Sequence, residues 1–304
     1  MPKPENQNAQ DNAVYLIDAS VYIFRGYFAL PSSITDEQDR PVNAVHGFTD
    51  FLCGFLAGTQ PRQLAVAFDE SLTSSFRNEL YPDYKANRDP APEDLKYQFQ
   101  VCRAMVEALG LVGLASDRYE ADDIIATLAT RAQAQGKPVV ILSRDKDLAQ
   151  LLQPADRLWD YAGDVWMDAE AVAAKFGVGP AQMLDYQALV GDAVDNIPGI
   201  RGIGPKAAAA LLAHFGDLDR LYERLDEVPG LTLRGAKRLH LLLGEGRDMA
   251  YLSRELCRMV TDAELPPAAA NLVMKPFAAA KIEAFCDEWA LGGRLRGRLL
   301  SLVE

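Results

Sequence analysis

VYLID, residues 14–18, is a short β-prone apolar run that ends in an aspartate, and its pattern recurs twice, as LAVAFD at 64–69 and VVILSRD at 139–145. Such runs read as strands buried on both faces. Helical periodicity fills the spaces around them, over 44–57, 95–109 and 120–134. Strands alternating with helices predict an α/β fold, a mostly parallel sheet flanked by helices. Each of the three strands then delivers an acid, Asp18, Asp69 or Asp145, to its carboxyl end, the edge where open α/β sheets bind ligands.

YEADDIIATLA (119–129) brings three more acids. Taken alone, Glu120, Asp122 and Asp123 are ordinary first-turn acids, favoured by the helix dipole by roughly 0.3–1 kcal/mol each, with Asp122 and Asp123 free to face water. If LGLVGLAS (109–116) contains a further strand, however, this helix starts at the same sheet edge. Asp147, two residues past Asp145, and the pair Asp192 and Asp195 in GDAVDNIPG enlarge the set to nine. Two carboxylates about 4 Å apart repel by roughly 4 kcal/mol at an effective dielectric of 20, so a crowd of them calls for cations. Oxygen ligands without His or Cys suit Mg²⁺ or Mn²⁺. Two such ions would clamp a phosphodiester, activating water on one side and stabilising the leaving oxygen on the other.

Composition sets outer limits. The 304 residues allow one large domain or two ordinary ones, and 49% hydrophobic with 24% charged residues is a globular balance. The polar first thirteen residues read as a loose tail, not a secretory signal, and no window is apolar enough to span a membrane. Four scattered cysteines and three histidines make a structural zinc site improbable and fit a reduced, cytoplasmic setting. A net charge of −12 argues against a polyanionic partner, but nine metal-bound acids would leave the remainder at only −3.

Two stretches point to nucleic acid. In GIRGIGPKAAAALLAHFG (199–216), Gly202 and Gly204 permit a tight turn and Pro205 suits a first helical position. The free N–H groups there, with Lys206 beside them, form an anion site able to hold sugar-phosphate backbone, although a plain helical corner would use the same glycines. GLTLRGAKRLHLLLGEG (230–246) repeats the flavour weakly with Arg234, Lys237 and Arg238. The polar segment 74–95 interleaves Arg77, Lys85 and Arg88 with Phe76, Tyr81 and Tyr84, which suits a single strand; an ordinary surface loop is the alternative.

Seven ordered blocks, YLIDAS, AFDES, FRNELYPDYKANR, YEADDIIATLA, LSRDKDLAQLL, GDAVDNIPGIRGIGPKAA and YLSRELCRMVTDAEL, resemble the bacterial 5′-nuclease (flap endonuclease) family over about 14–265. The likeness is to the 5′→3′ exonuclease domain found at the front of DNA polymerase I and as free-standing proteins. It implies a PIN-like core with a helical arch insertion near 71–115, and an all-α helix-hairpin-helix region near 186–265 that holds duplex. With the tail over 1–13 set aside, the expected division is a core over 14–185, that helical region, and a C-terminal segment, 266–304, packing back on the core. Asp18, Asp69, Glu120, Asp122, Asp123, Asp145, Asp147, Asp192 and Asp195 match the family's metal-binding acids. Tyr84, Lys85, Arg88 and Arg25 match family positions near the scissile phosphate, which makes Lys85, Arg88 and Arg25 the catalytic candidates; Tyr84, together with Arg77, Gly202, Gly204 and Lys206 from the two stretches above, makes up the substrate-binding candidates. A potassium ion at the hairpin is also implied.

The chain departs from the family pattern at Gly26, where Ala is frequent, at Arg144, where Gly is frequent, and at Ala193, where Ser is usual. Arg144, next to Asp145, could compete with metal or bind phosphate. The expected activity is therefore metal-dependent 5′→3′ exonuclease and flap endonuclease cleavage of branched or nicked duplex DNA in replication or repair, leaving 5′-phosphate and 3′-hydroxyl. A polymerase module has no room in 304 residues, and a monomer suffices. The rivals are a catalytically inactive DNA-binding protein of this fold and a metal-dependent ribonuclease.

Overall fold

The computed structural model describes residues 12–69 and 75–303, so most of the expected tail and residues 71–74 of the expected arch lie outside the described residues. The first part of the chain alternates strand and helix: β1 (Val14–Asp18), α1 (Ala19–Ala29), α2 (Asn43–Thr59), β2 (Gln63–Ala67), α3 (Arg77–Leu80), α4 (Glu93–Ala108), β3 (Val112–Leu114), α5 (Ala121–Ala134), β4 (Val139–Leu142), β5 (Arg157–Asp160) and β6 (Val165–Met167). Helices follow: α6 (Ala169–Phe176), α7 (Met183–Val190), α8 (Pro205–Phe215), α9 (Leu218–Glu223), α10 (Ala236–Glu245), α11 (Arg247–Cys257), α12 (Ala279–Glu288) and α13 (Gly293–Leu300).

The strands order as β3-β2-β1-β4-β5-β6, parallel throughout except for the antiparallel β5–β6 pair. Beyond β3 the chain crosses back to lay β4 against the other side of β1, so the strand order reverses at β1. The crevice outside the carboxyl ends of β1 and β4 is the ligand position such a switch creates. Asp18 ends β1, Asp69 follows β2 by two residues and Asp145 follows β4 by three.

Period-two alternation sorts the strand residues into two cores. Val14, Leu16, Ala65, Ala67, Val139 and Ile141 face one core with α5 and the helices from α7 to α11. Tyr15, Ile17, Leu64, Val66, Val140 and Leu142 face the other, made by α1, α2, α4 and the C-terminal α12 and α13. The arch expectation included α4 and β3, but Leu95, Phe99, Cys102, Met105 and Val106 of α4 are buried in this second core and β3 is a sheet member. The stretch 75–92 adds no strand and only the short α3, and its Tyr84 packs with Ile197, Leu256 and Cys257.

Two details fix the helices that carry the site. Gly26 of α1 meets Gly47 of α2 so closely that a Cβ on Gly47 would lie 2.5 Å from the Gly26 Cα. The fully buried Gln98 of α4 caps α2, its Oε1 accepting from Ala44 N–H at 2.6 Å, while Asn43 Nδ2 donates to the carbonyls of Tyr27 and Leu30. Among the described residues no helix is long and apolar enough to cross a membrane.

Candidate functional site

Asp18, Asp69, Asp122 and Asp145 come together at the sheet edge, close enough for Asp69 and Asp145 to act on the ionisation of Asp18, and for Asp145, Asp18 and Asp69 to act on that of Asp122. Burial, then Asp69, then Asp145 push the Asp18 carboxyl up to about 7 against the opposing hydrogen bond from Ser143. Burial and the charges of Asp145, Asp18 and Asp69 hold Asp122 well above the carboxylate range. Burial and Asp145 raise Asp147 to about 7. Asp122 thus does not face open water as its helical position alone allows.

Two serines hold the carboxylates in place. Ser143 Oγ donates to Asp18 Oδ2 at 2.9 Å, and Ser20 Oγ donates to Asp69 Oδ2 at 2.7 Å. The other oxygen of Asp69 accepts from the Ala121 N–H, the first of α5, at 2.8 Å. Asp18 Oδ1 and Asp147 Oδ1 are buried with no hydrogen-bond partner. An orphaned carboxylate oxygen costs free energy that a cation would recover.

Asp192 and Asp195 arrive on the loop 191–199, closed by the Asp192–Ile197 bridge and by contact between Gly191 and Gly199. A Cβ on Gly199 would stand 2.4 Å from Gly191 N, and both glycines have positive φ, so no other residue closes this loop without strain. Cations reach among the acids: Lys146 pairs with Asp192, Arg88 with Asp195, and Lys85 Nζ lies 2.5 Å from Glu120 Oε1 and 3.7 Å from Asp195 Oδ2. Burial would raise Asp192, but Lys146 wins and holds it low. Burial would lower Lys85, but Glu120 and Asp195 keep it raised. With these pairs formed, no three or more His, Cys, Asp or Glu side chains among the described residues are arranged to hold a metal ion as they stand.

Lys85 is a non-glycine residue at φ 55°, a conformation that costs of order 1 kcal/mol or more and persists where the surroundings enforce it. Here the 83–88 stretch is latched to the acidic loop. Lys85 N–H donates to Asp195 O at 3.0 Å, Asn87 Nδ2 to Ala193 O at 2.9 Å and Asn196 Nδ2 to Asp83 O at 2.6 Å. Tyr84 is buried, its hydroxyl donating to Glu120 Oε2 at 2.9 Å. Beside this latch a cleft of about 370 Å³, lined by Phe24, Phe28, Lys85, Arg88, Pro90 and Pro92, opens onto Asp69 and Glu120.

Several sequence expectations are corrected. Asp123 is fully buried, and both its oxygens are engaged by Arg77 and by the N–H groups of Glu120 and Val260, which leaves it a counter-ion and helix cap with no oxygen turned to a metal. Arg77 is 3% exposed and cannot meet a substrate phosphate. Arg25 is exposed on α1, two turns along from Asp18, and lines a different cavity with Tyr22, Asp50 and Tyr161. Arg144 points outward to Asp160, 3.2 Å away, and leaves Asp145 alone. At the hairpin, Gly202 has φ 97°, Gly204 caps α8 and Pro205 is its first residue, with Lys206 exposed and Ile203 buried as the anchor. Ser20, Ser143 and Lys146 escaped sequence reasoning; each lies within two residues of a site aspartate, a signal too common in helix starts and turns to select them.

Residues 13–177 match a family model described as 5′-3′ exonuclease, N-terminal resolvase-like domain, and residues 178–280 one described as 5′-3′ exonuclease, C-terminal SAM fold. A 5′-3′ exonuclease of Buchnera aphidicola is 30% identical over 269 residues, covering 88% of this chain and 93% of its own length. DNA polymerase I of Rhizobium leguminosarum is 42% identical over 279 residues, 90% of this chain; the chain spans only 27% of that relative's length. Among solved structures, the T5 5′-exonuclease with bound zinc aligns over 96% of this chain and 100% of its own at TM-score 0.67 and 17% identity. The catalytic core of Rad2 in complex with DNA substrate aligns over 99% and 96% at TM-score 0.65 and 16% identity. At such identities the likeness is one of fold.

Proposed function

Since this chain belongs to the 5′-3′ exonuclease family, we propose that it hydrolyses phosphodiesters near the 5′ end or flap junction of branched or nicked duplex DNA, leaving 5′-phosphate and 3′-hydroxyl. The observation that carries this reading is the gathering of acids from β1, β2, β4, α5 and the 191–199 loop at one sheet edge, with buried orphan oxygens on Asp18 and Asp147. An all-oxygen donor set of this kind fits Mg²⁺ or Mn²⁺. Asp18, Asp69, Glu120, Asp122, Asp145, Asp147, Asp192 and Asp195 would hold two or more ions, which when bound supply an activated water and neutralise charge on the phosphate.

The protein's own groups do the rest. Ser143 and Ser20 aim the carboxylates of Asp18 and Asp69. Lys85 and Arg88, at the cleft mouth, leave Glu120 and Asp195 to meet the scissile phosphate and offset its growing charge. Phe24 and Phe28, their ring centroids 6.4 Å apart and their planes nearly parallel, offer apolar faces to an unpaired strand entering beside them. The exposed turn of Gly202 and Gly204 with Lys206 holds duplex backbone, and a potassium ion bound by its carbonyls would reinforce the contact. We assign the chain as a cytoplasmic monomer acting in replication or repair.

A labelled 5′-flap duplex incubated with Mg²⁺, and separately with EDTA, tests the assignment. Metal-dependent release of a short 5′ product is expected, whereas tight binding without cleavage under any divalent ion would make the chain an inactive DNA-binding relative. RNA flaps cut in preference to DNA would instead favour a ribonuclease.

A further inference from the structure

Arg77 lies outside the cleft that Lys85 and Arg88 line, yet its guanidinium reaches the back of Glu120 in the acid cluster. All five donors of its guanidinium are satisfied inside the protein. Nε donates to Leu256 O at 2.9 Å, Nη1 to Glu120 Oε2 at 3.0 Å and Asp123 Oδ2 at 2.7 Å, and Nη2 to Asp123 Oδ1 at 2.8 Å and Arg258 O at 2.8 Å. The Phe76 ring covers the guanidinium at 4.7 Å. Burial works against its charge, and Asp123 and Glu120 more than offset that.

Three separate parts of the chain meet on this one group. The first is the base of the 75–92 stretch that carries Tyr84, Lys85 and Arg88. The second is the N-terminus of α5, where Glu120 and Asp123 cap each other's backbone. The third is the end of α11, whose last-turn carbonyls have no partner within the helix. Asp123 extends the tie by accepting from Val260 N–H at 2.9 Å. Glu120 is therefore held from behind by Arg77, with Oε1 turned to Lys85.

We propose that Arg77 is a positioning residue: its buried fork aims Glu120 into the acid cluster and fixes the spacing between the helical region ending at α11 and the phosphate to be cut. The inference rests on the nuclease reading for its second half and on metal binding alone for its first. A planar, five-donor fork is required, because a lysine ammonium has three donors and cannot bridge a carboxylate pair and two carbonyls at once. Displacing such a supporting group costs roughly 10–100-fold in metal affinity.

The test uses the full chain with Arg77→Lys, which keeps the charge, and Asp123→Asn, which keeps the shape but weakens the grip. Thermal unfolding in EDTA reports whether each variant is folded. Mn²⁺ binding, read by electron paramagnetic resonance without DNA, is expected to weaken at least tenfold in both folded variants. On a 5′-flap duplex, kcat is expected to fall more than tenfold with KM within about threefold of wild type, and a measurable fraction of product to shift by one nucleotide. Should Arg77→Lys not fold, Asp123→Asn alone decides. Wild-type Mn²⁺ affinity in a folded variant, or a loss of cleavage that tracks only the unfolded fraction with unshifted products, overturns the proposal. A wild-type chain that binds Mn²⁺ but cuts nothing would sink the nuclease reading, and the Mn²⁺ comparison would still judge Arg77.

Discussion

Replacing Gly47 by alanine places a Cβ 2.5 Å from the Gly26 Cα, where α1 and α2 cross. Carbon atoms rest at about 3.5–4 Å, so the two helices must part by roughly 1 Å. Both partners are backbone, and no side chain can swing away, which puts the cost at the upper end of over-packing, about 3 kcal/mol. Alanine's better helix propensity returns about 1 kcal/mol, leaving a net loss of about 2 kcal/mol. Gly58 of the same helix supplies the control: a Cβ there meets nothing within 4 Å, so Gly58→Ala should be neutral or stabilising by up to about 1 kcal/mol. Urea denaturation followed by circular dichroism reads both, the midpoint shifting in opposite directions at an unchanged m value. Because α1 starts directly after Asp18 and carries Ser20, Gly47→Ala should also depress cleavage in the folded fraction. Equal midpoints for the two variants would refute the crossing as a packing constraint.

Lys85→Ala should lower turnover on a flap substrate by ~10² while changing substrate affinity little, since its charge is needed as the phosphate reacts; equal losses in a binding titration and in kcat would contradict the role. Asp122→Asn removes a buried charge crowded by Asp145, Asp18 and Asp69, so the protein in EDTA should melt at a higher temperature while its Mn²⁺-induced stabilisation shrinks. A lower melting temperature would show that Asp122 is structural. Gln98→Leu orphans the Ala44 N–H at the start of α2 and should cost about 1–3 kcal/mol in urea denaturation; a neutral result would mean that water takes over the cap.

Much of this protein was legible one residue at a time. Buried strands show as apolar runs, and an aspartate at the end of a parallel strand lies at the carboxyl edge whatever its neighbours do, so VYLID, LAVAFD and VVILSRD placed three site acids before any contact was known. The turn at Gly202 and Gly204 was equally readable, because backbone conformation there is a local property.

What local chemistry could not settle was which way a charged group faces. Asp122 and Asp123 are adjacent, identical in type and one helical step apart, yet one enters the acid cluster and the other grips Arg77. Arg77 and Arg88 lie on one polar stretch, and the first is sealed inside while the second stands at the cleft mouth. Those outcomes depend on carbonyls from α11, some 180 positions along the chain, and on a loop closed by Gly191 against Gly199. Sequence by itself determined the sheet, its acidic edge and the hairpin, since strand period and turn chemistry act between neighbours. The roles of Asp123, Arg77, Ser143 and Lys146 were decided only in the tertiary structure, because a buried charge takes its function from whichever partners the fold brings to it.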